Sequence, residues 1–209
     1  MTPDRGTRAD AHIWYRETGT TASGLRLAEA WESDDHADGE YADDVPAHAT
    51  LVWRLTEPGR GLAHVEIPEH RAPGAPPLWF VAVDEPRAAR PACNLVAYVG
   101  AGVEAGTVVS THSFATLGIR SDAQLGAVRW YRDGLVHQIY VSPDHRRRNI
   151  GTSLIHAAGA WQQAKRWPGW IHADGRRTTL GQLFLAAKRH PSRIRPLTET
   201  MPDMDASAR

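Results

Sequence analysis

A single cysteine, Cys93, in 209 residues excludes an internal disulfide framework and a thiolate metal cluster. It points to a reducing, cytoplasmic setting. Cys93 stands beside Asn94-Leu95-Val96 and reads as a small core residue rather than a nucleophile. No stretch approaches the ~18 consecutive apolar residues of a membrane span, and Met1–Asp10 is too polar for a signal core, so no membrane partner is expected. Net charge is also absent, with 24 Lys+Arg against 24 Asp+Glu. The 11 histidines show no metal-ligand spacing, and no metal is expected.

What is present suffices for a packed core, since 42% of residues are hydrophobic. The length fits one large domain, or a domain with an appendage. Charge is unevenly divided. Residues 1–118 hold 9 Lys+Arg and 17 Asp+Glu, a balance of −8, and residues 119–209 hold 15 and 7, a balance of +8. A basic half suits an anionic cofactor, and an acidic half can receive a cationic or amine substrate.

The first ~120 residues read as strands and loops. Short apolar or alternating runs cover His12–Arg16, Leu25–Trp31, Thr50–Leu55, Leu62–Ile67, Leu78–Val83 and Leu95–Val99. Ser23–Glu32 can alternatively be a short helix. Segment 32–47, rich in Asp and Glu, reads as a mobile surface loop. We therefore divide the chain into a strand-rich part at 1–118, either of the same fold or an appended subdomain, a core at 119–195, and a tail at 196–209.

The second half changes character. Gln124–Tyr131 and Leu135–Val141 form a hairpin across Arg132-Asp133-Gly134, a strong turn signal. Ile150, Leu154, Ala157, Ala158 and Trp161 then recur at helical spacing, and Trp167-Pro168-Gly169 stops that helix. Trp170–Ala173 reads as a strand. Thr178 or Thr179 can cap a second helix that buries Leu180, Leu183, Phe184 and Ala187 before Pro191.

Residues 136–156 are the most informative run. A β-branched strand, Val136–Val141, turns through Ser142-Pro143-Asp144 into a basic loop, Arg146, Arg147 and Arg148, and then into an apolar helix opening at Ile150-Gly151. First-turn backbone N–H groups of a helix lack intrahelical partners, and the helix dipole adds positive potential there. Such a junction holds phosphorylated ligands.

The run resembles the cofactor motif of the GNAT (GCN5-related N-acetyltransferase) superfamily, Arg/Gln-x-x-Gly-x-Gly/Ala behind a strand ending in Val-x-Pro. The match falls on Arg146, Asn149 and Gly151 behind Val141-Ser142-Pro143, and the resemblance spans Leu125–Lys188. Asn149 stands in place of the family's first glycine. Asn is the non-glycine residue most tolerant of left-handed backbone angles, so the loop can form. The resemblance implies an α+β, GNAT-like mixed and mostly antiparallel central sheet flanked by helices, with a strand- and loop-rich N-terminal half.

It also implies an activity: an acetyl-CoA-dependent N-acetyltransferase that moves the acetyl group to a primary amine by direct attack. Pantetheine would pair with Ile139, Tyr140 and Val141. The pyrophosphate would rest on Arg146, Arg147, Arg148, Asn149, Ile150, Gly151 and Thr152. The Val141 N–H would hold the developing oxyanion. Where many members carry a glutamate base this chain has His137 and Gln138. Strand alternation puts His137 on the face of Ile139 and Val141, and an imidazole titrating near neutrality is a competent base. Phe184 stands where many members place a tyrosine that reprotonates the thiolate, leaving Ser153, a water or solvent to do so. The acceptor can be a small metabolite, an antibiotic, an aminoacyl group or a peptide terminus, and a homodimer is allowed.

Two alternatives stand beside this reading. One is a GNAT-like protein that binds CoA or regulates without catalysis, suggested by Asn149, Phe184 and the missing glutamate. The other is a nucleic-acid module using Arg146–Arg148, Arg176, Arg177, Lys188, Arg189, Arg193 and Arg195, against which the neutral overall charge argues. Gly100-Ala101-Gly102-Val103-Glu104-Ala105 matches a dinucleotide fingerprint but leads into an extended segment and reads as a turn. Asp34–Glu40 fails as a calcium loop because His36 and Val45 occupy ligand positions. Ser110-Thr111-His112-Ser113 lacks nucleophile-elbow glycines and reads as loop or strand-end polarity. Trp161, Trp167 and Trp170 read as packing residues, whereas Trp53, Trp79 and Trp130 fit either core or an aromatic acceptor pocket.

Overall fold

Alternating apolar residues drive nine segments into strands, and all nine join one sheet. The computed structural model describes residues 11–59, 61–186 and 191–202. The strands are β1 (His12–Thr20), β2 (Arg26–Ser33), β3 (Thr50–Gly59), β4 (Leu62–Glu66), β5 (Leu78–Glu85), β6 (Ala92–Val99), β7 (Thr107–Ser110), β8 (Gly126–Tyr131) and β9 (Val136–Val141), in the order β1-β2-β3-β4-β7-β5-β6-β8-β9. Neighbours are antiparallel except β5 and β7. This is the mixed, mostly antiparallel α+β architecture that the sequence implies. Ser23–Glu32 is not a helix: Arg26–Ser33 pairs with strands on both sides, and pairing of this kind outweighs local helix propensity.

Helix α1 (Thr111–Thr116) is short, and Ser110 caps it by accepting from the Ser113 N–H at 3.1 Å. Helix α2 (Ile150–Ala164) buries residues on every side, including Ile150, Leu154, Ala157, Ala160, Trp161 and Gln162. An all-round buried helix must be enclosed. From β8, Trp130 donates its indole N–H to Gln162 Oε1 at 2.8 Å. From β3, the Trp53 indole nitrogen lies 3.2 Å from where a Cβ on Gly159 would sit. Four strands separate β3 from β8 in the sheet order. At ~4.8 Å per strand a flat sheet would hold them ~24 Å apart, about twice a helix diameter of ~10–12 Å. The sheet therefore curls around α2, which fills its concave face. On the convex face, Trp79, Val81, Tyr98 and Val109 form a second cluster capped by Phe114 of α1.

Several sequence expectations change in this setting. Trp53, Trp79 and Trp130 are core residues at 3%, 0% and 0% exposure and line no open acceptor pocket. Segment 32–47 is anchored rather than loose. Gly39 N–H donates to Ile13, Tyr15 N–H to Glu40 and Ala42 N–H to Tyr15, at 2.7, 2.7 and 2.9 Å, which covers the exposed edge of β1. Asp38 from this segment forms a buried ion pair with Arg193 at 2.6 Å. Arg193 also donates to Ile13 O at 2.9 Å.

Helix α3 (Thr179–Ala186) turns Phe184 inward but leaves Leu180 and Leu183 at 45% and 62% exposure, because few described elements pack against it; Ala187 lies outside the described residues. Strand β10 (Arg176–Thr178) pairs in parallel with β11 (Glu199–Met201), so that part of the expected tail is tied to the fold. No helix among the described residues is long and apolar enough to cross a membrane.

Candidate functional site

The β8–β9 hairpin leads directly to the site. Strand β9 ends the sheet, and its register decides which backbone groups are free. The Ser142 N–H donates to Leu125 O at 2.9 Å, on the β8 side. Backbone groups alternate sides along a strand, so Ile139 and Val141 direct their N–H and C=O away from β8. On that outer side Val136 N–H reaches His172 O at 2.9 Å, and His172 N–H reaches Gly134 O at 3.0 Å. This parallel contact is brief. At Ala173 the chain has already switched partners to Ile194. The strand expected at Trp170–Ala173 is thus two isolated bridges, and among the described residues no strand pairs with the outer side of Ile139–Val141. A wedge opens beside β9, narrow at Val136 and wide at Val141.

The wedge leads to the basic loop. Pro143–His145 makes one 3-10 turn, Arg147 takes φ +63° and Asn149 takes φ +53°. Asn149 is thus in the left-handed conformation expected from its place in the motif. Its amide donates to Pro73 O at 2.8 Å, tying the loop to the turn before β5. The N-cap residue of α2, Asn149, makes no side-chain cap hydrogen bond, so its side chain does not occupy the helix start.

Arg146 donates Nε–H to Val141 O at 3.2 Å and braces the loop against β9. Arg147 and Arg148 are exposed and form no ion pair among the described residues. The His145 Nδ1 atom is buried without a hydrogen-bond partner. Ile150 and Thr152 are buried, at 1% and 5% exposure, and position the helix start from below. Gly151 has a packing reason: a Cβ there would meet the Phe184 ring at 3.3 Å. These features fit an anionic ligand: an outer strand edge with no neighbouring strand, a helix start without a side-chain cap, exposed Arg147 and Arg148, and the His145 ring nitrogen.

His137 is not where alternation puts it. The register shifts between Arg129 and Trp130, with Gln138 opposite Arg129 and Val136 opposite Trp130. His137 is the extra residue of a β-bulge. It turns to the convex face, where its Nδ1 lies 3.1 Å from the Tyr131 hydroxyl. Ile139 and Val141 pack toward the core on the other face. Burial lowers the His137 pKa below its ordinary value, and Arg129 and Arg90 lower it further while Glu85 opposes them. The ring is therefore mainly neutral at pH 7 and can accept a proton.

The same convex face adds Asn94, Ala127 and Arg129, which motif reading did not single out, to Gln138 and Tyr140, which it did. Asn94, Ala127, Arg129, Gln138 and Tyr140 line a hollow of about 80 Å³ immediately beside the wedge. Glu85 holds Arg129 at 2.7 Å and accepts from Asn94. The Glu85 pKa is lowered, chiefly by the Arg129 hydrogen bond, so this carboxylate stays ionised and committed. Only strand pairing reveals this group, because its members come from β5, β6, β8 and β9. Elsewhere, exposed Asp34, Asp35 and His48 gather their ligand atoms within 4.8 Å of one another; His48 Nε2 sits 2.9 Å from Asp35, an ordinary surface ion pair.

A family model described as the acetyltransferase (GNAT) domain matches residues 91–190. No curated protein and no solved structure matches the chain. The matched span contains β6, the hairpin, the wedge, the basic loop and α2, and it begins well before the motif. The match at residues 91–190 supports membership of the GNAT superfamily, a family of acyltransferases.

Proposed function

We propose that the protein moves an acetyl group from acetyl-CoA to a primary amine by direct attack, with no covalent enzyme intermediate. The observation that carries this reading is the unpaired outer edge of β9, which runs at Val141 into a helix start without a side-chain cap. Acetyl-CoA supplies the activated acyl carbon. The outward N–H and C=O of Ile139 orient the pantetheine, while the Val141 C=O is engaged by Arg146. The N–H groups of Ile150 and Gly151, with Arg147 and Arg148, hold the pyrophosphate. The Val141 N–H points into the wedge and stabilises the negative oxygen that forms on attack.

The acceptor, a small-molecule or peptide amine, enters from the convex face over Tyr140 and Gln138. His137 lies four residues from Val141, ~13 Å along the strand at ~3.3 Å per residue. It therefore takes the amine proton through water rather than by contact, and collapse of the tetrahedral intermediate breaks the C–S bond, so that CoA leaves as a thiolate that water protonates. A second reading, a member that binds CoA without turnover, is favoured by Phe184, which packs on Gly151 and offers no hydroxyl.

Calorimetric titration with acetyl-CoA, with CoA and ATP as controls, tests the cofactor. Micromolar binding that requires the pantetheine, abolished in a folded Gly151→Trp variant, is the expected outcome. Binding that survives Gly151→Trp removes the loop from the site. Tight binding with no acetylation across an amine panel favours the second reading.

A further inference from the structure

The geometry points to a second ligand site at the far end of α2, one that takes a small planar aromatic carboxylate. A cavity of about 270 Å³ lies there, walled by Tyr15, Tyr41, Trp167 and Trp170, with Arg26 and Arg166 at its polar side. Helix α2 has 15 residues, so at ~1.5 Å per residue the cavity is ~22 Å from the basic loop. It is therefore separate from the wedge. A cavity of ~150 Å³ holds one benzene ring, so this one has room for a substituted or fused ring with a carboxylate. It is below the ~300–1,000 Å³ of sites for drug-sized ligands and too small for a whole CoA.

Charge selects the ligand's sign. Glu17 lies within ion-pair distance of two guanidinium groups, Arg26 at 3.1 Å and Arg166 at 3.0 Å. One carboxylate thus faces two arginines, leaving a positive charge uncompensated at the cavity. The neighbouring Arg193 is neutralised by Asp38. A ligand carboxylate supplies the missing anion, and the aromatic walls supply the stacking surface.

Two backbone features show that the cavity is built. Gly39 has φ +81°, and a Cβ there would meet the Trp170 ring at 2.5 Å; the absence of a side chain lets the indole lie flat as one wall. Arg166 sits just past the end of α2 with φ +53°, a left-handed position that glycine or asparagine ordinarily takes. A long cation held in that conformation aims its charge at the cavity side, and strain of this kind gathers at ligand-binding places. The Tyr41 hydroxyl donates to Gln163 Oε1 at 2.7 Å, and the Gln163 amide donates to Gly169 O at 3.1 Å, which fixes the remaining wall.

The test is calorimetric titration of the whole chain with three ligands of one ring system: indole-3-acetate, indole and tryptamine. Indole-3-acetate should bind about tenfold or more tighter than indole, the margin of a charge-assisted hydrogen bond, and tryptamine should not bind. Arg166→Asn, which keeps a residue suited to the left-handed conformation, should erase the margin between acid and indole while leaving acetyl-CoA titration as in wild type. Tyr41→Phe, a milder change, should weaken indole-3-acetate severalfold. Equal affinity for indole and indole-3-acetate overturns the anion assignment. Failure of indole-3-acetate to bind the folded protein overturns the site, and unchanged binding in Arg166→Asn removes the arginine from it.

Discussion

Replacing Val141 by proline separates the chemistry at the wedge from the integrity of the sheet. The Ser142 N–H points to β8, so the Val141 N–H points away from it. Proline at 141 therefore deletes a donor that no strand uses, the one setting in which a strand tolerates proline. The neighbouring position is the control. Tyr140 lies opposite Ala127 with its N–H facing β8, so Tyr140→Pro breaks the ladder and strands a carbonyl. Leaving such a group unpaired costs ~1–3 kcal/mol, and each kcal/mol lowers Tm by ~2–4 °C in a chain of this size.

Activity should show the reverse order of specificity. Loss of one oxyanion donor raises the barrier by ~3 kcal/mol, about 150-fold in kcat at 1.36 kcal/mol per decade. Val141→Pro is expected to melt within a few degrees of wild type and to lose two orders of magnitude in turnover. Tyr140→Pro is expected to melt measurably lower. Steady-state acetylation beside a thermal melt decides it. Wild-type turnover in a folded Val141→Pro variant would refute the assignment of that N–H, and equal destabilisation by both prolines would refute the register argument.

Four further predictions concern the Asp38–Arg193 pair, His137 and Asn149. Arg193→Ala removes the counter-charge of the partly buried Asp38 carboxylate, which keeps its Ser192 and Ile13 hydrogen bonds, so urea unfolding should show a clear loss of stability, with the Arg193→Met/Asp38→Asn pair losing less. Burial alone would raise the Asp38 pKa, but Arg193, Ser192 and the Ile13 N–H outweigh it and hold it below the ordinary value; its stabilisation is complete above the unfolded value of ~3.9 and lost as pH falls through the native one, so wild type and Asp38→Asn should converge in stability in acid. If His137 takes the proton, kcat/KM should fall on an acid limb below its ordinary pKa of ~6.5, and His137→Ala should remove that limb without changing acetyl-CoA affinity; a limb that persists retires the role. Asn149→Gly should leave stability within about 1 kcal/mol, whereas Asn149→Ala, forced into a left-handed angle, should lose ~1–2 kcal/mol by chemical denaturation.

The legible parts of this chain are those whose physics is local. A β-branched run, a Ser-Pro-Asp turn, three arginines and an apolar 3.6-residue period stand in one 21-residue stretch, and strand, loop and helix appear there in order. Asn149 is legible for the same reason, since its left-handed angle depends on the residue itself. The curl of the sheet is not local. It follows from α2 burying residues against β3 and β8 together, contacts more than a hundred residues apart in part, and no periodicity within either strand reports it. For this reason Trp53 and Trp130 were ambiguous in sequence and are unambiguous in the fold: they are the two sides of the groove that holds α2. The acidic segment misled by composition. Its charges suggested a solvated loop, but one of them, Asp38, is matched by Arg193, which comes from the basic half 155 residues later.

His137 shows how a single inserted residue redirects the chemistry. Alternation is a strict period of two, so one extra residue reverses every assignment on one side of it. Counting back from Val141 is safe as far as Gln138, whose partner is Arg129, and fails at the next step because Trp130 pairs with Val136. The bulge carries His137 and Gln138 to the convex face together, beside Tyr131, Arg129 and Asn94. On the proposed reading the acyl carbon, held by the Val141 N–H, would lie at the strand edge between the two faces. The concave face is filled by α2, and this leaves the convex side as the open approach for an amine. On this geometry the bulge turns the only imidazole of β9 toward the side from which the nucleophile must come, and a variant that restores regular pairing by deleting one residue at 137–138 should lose acetyl transfer while retaining acetyl-CoA binding.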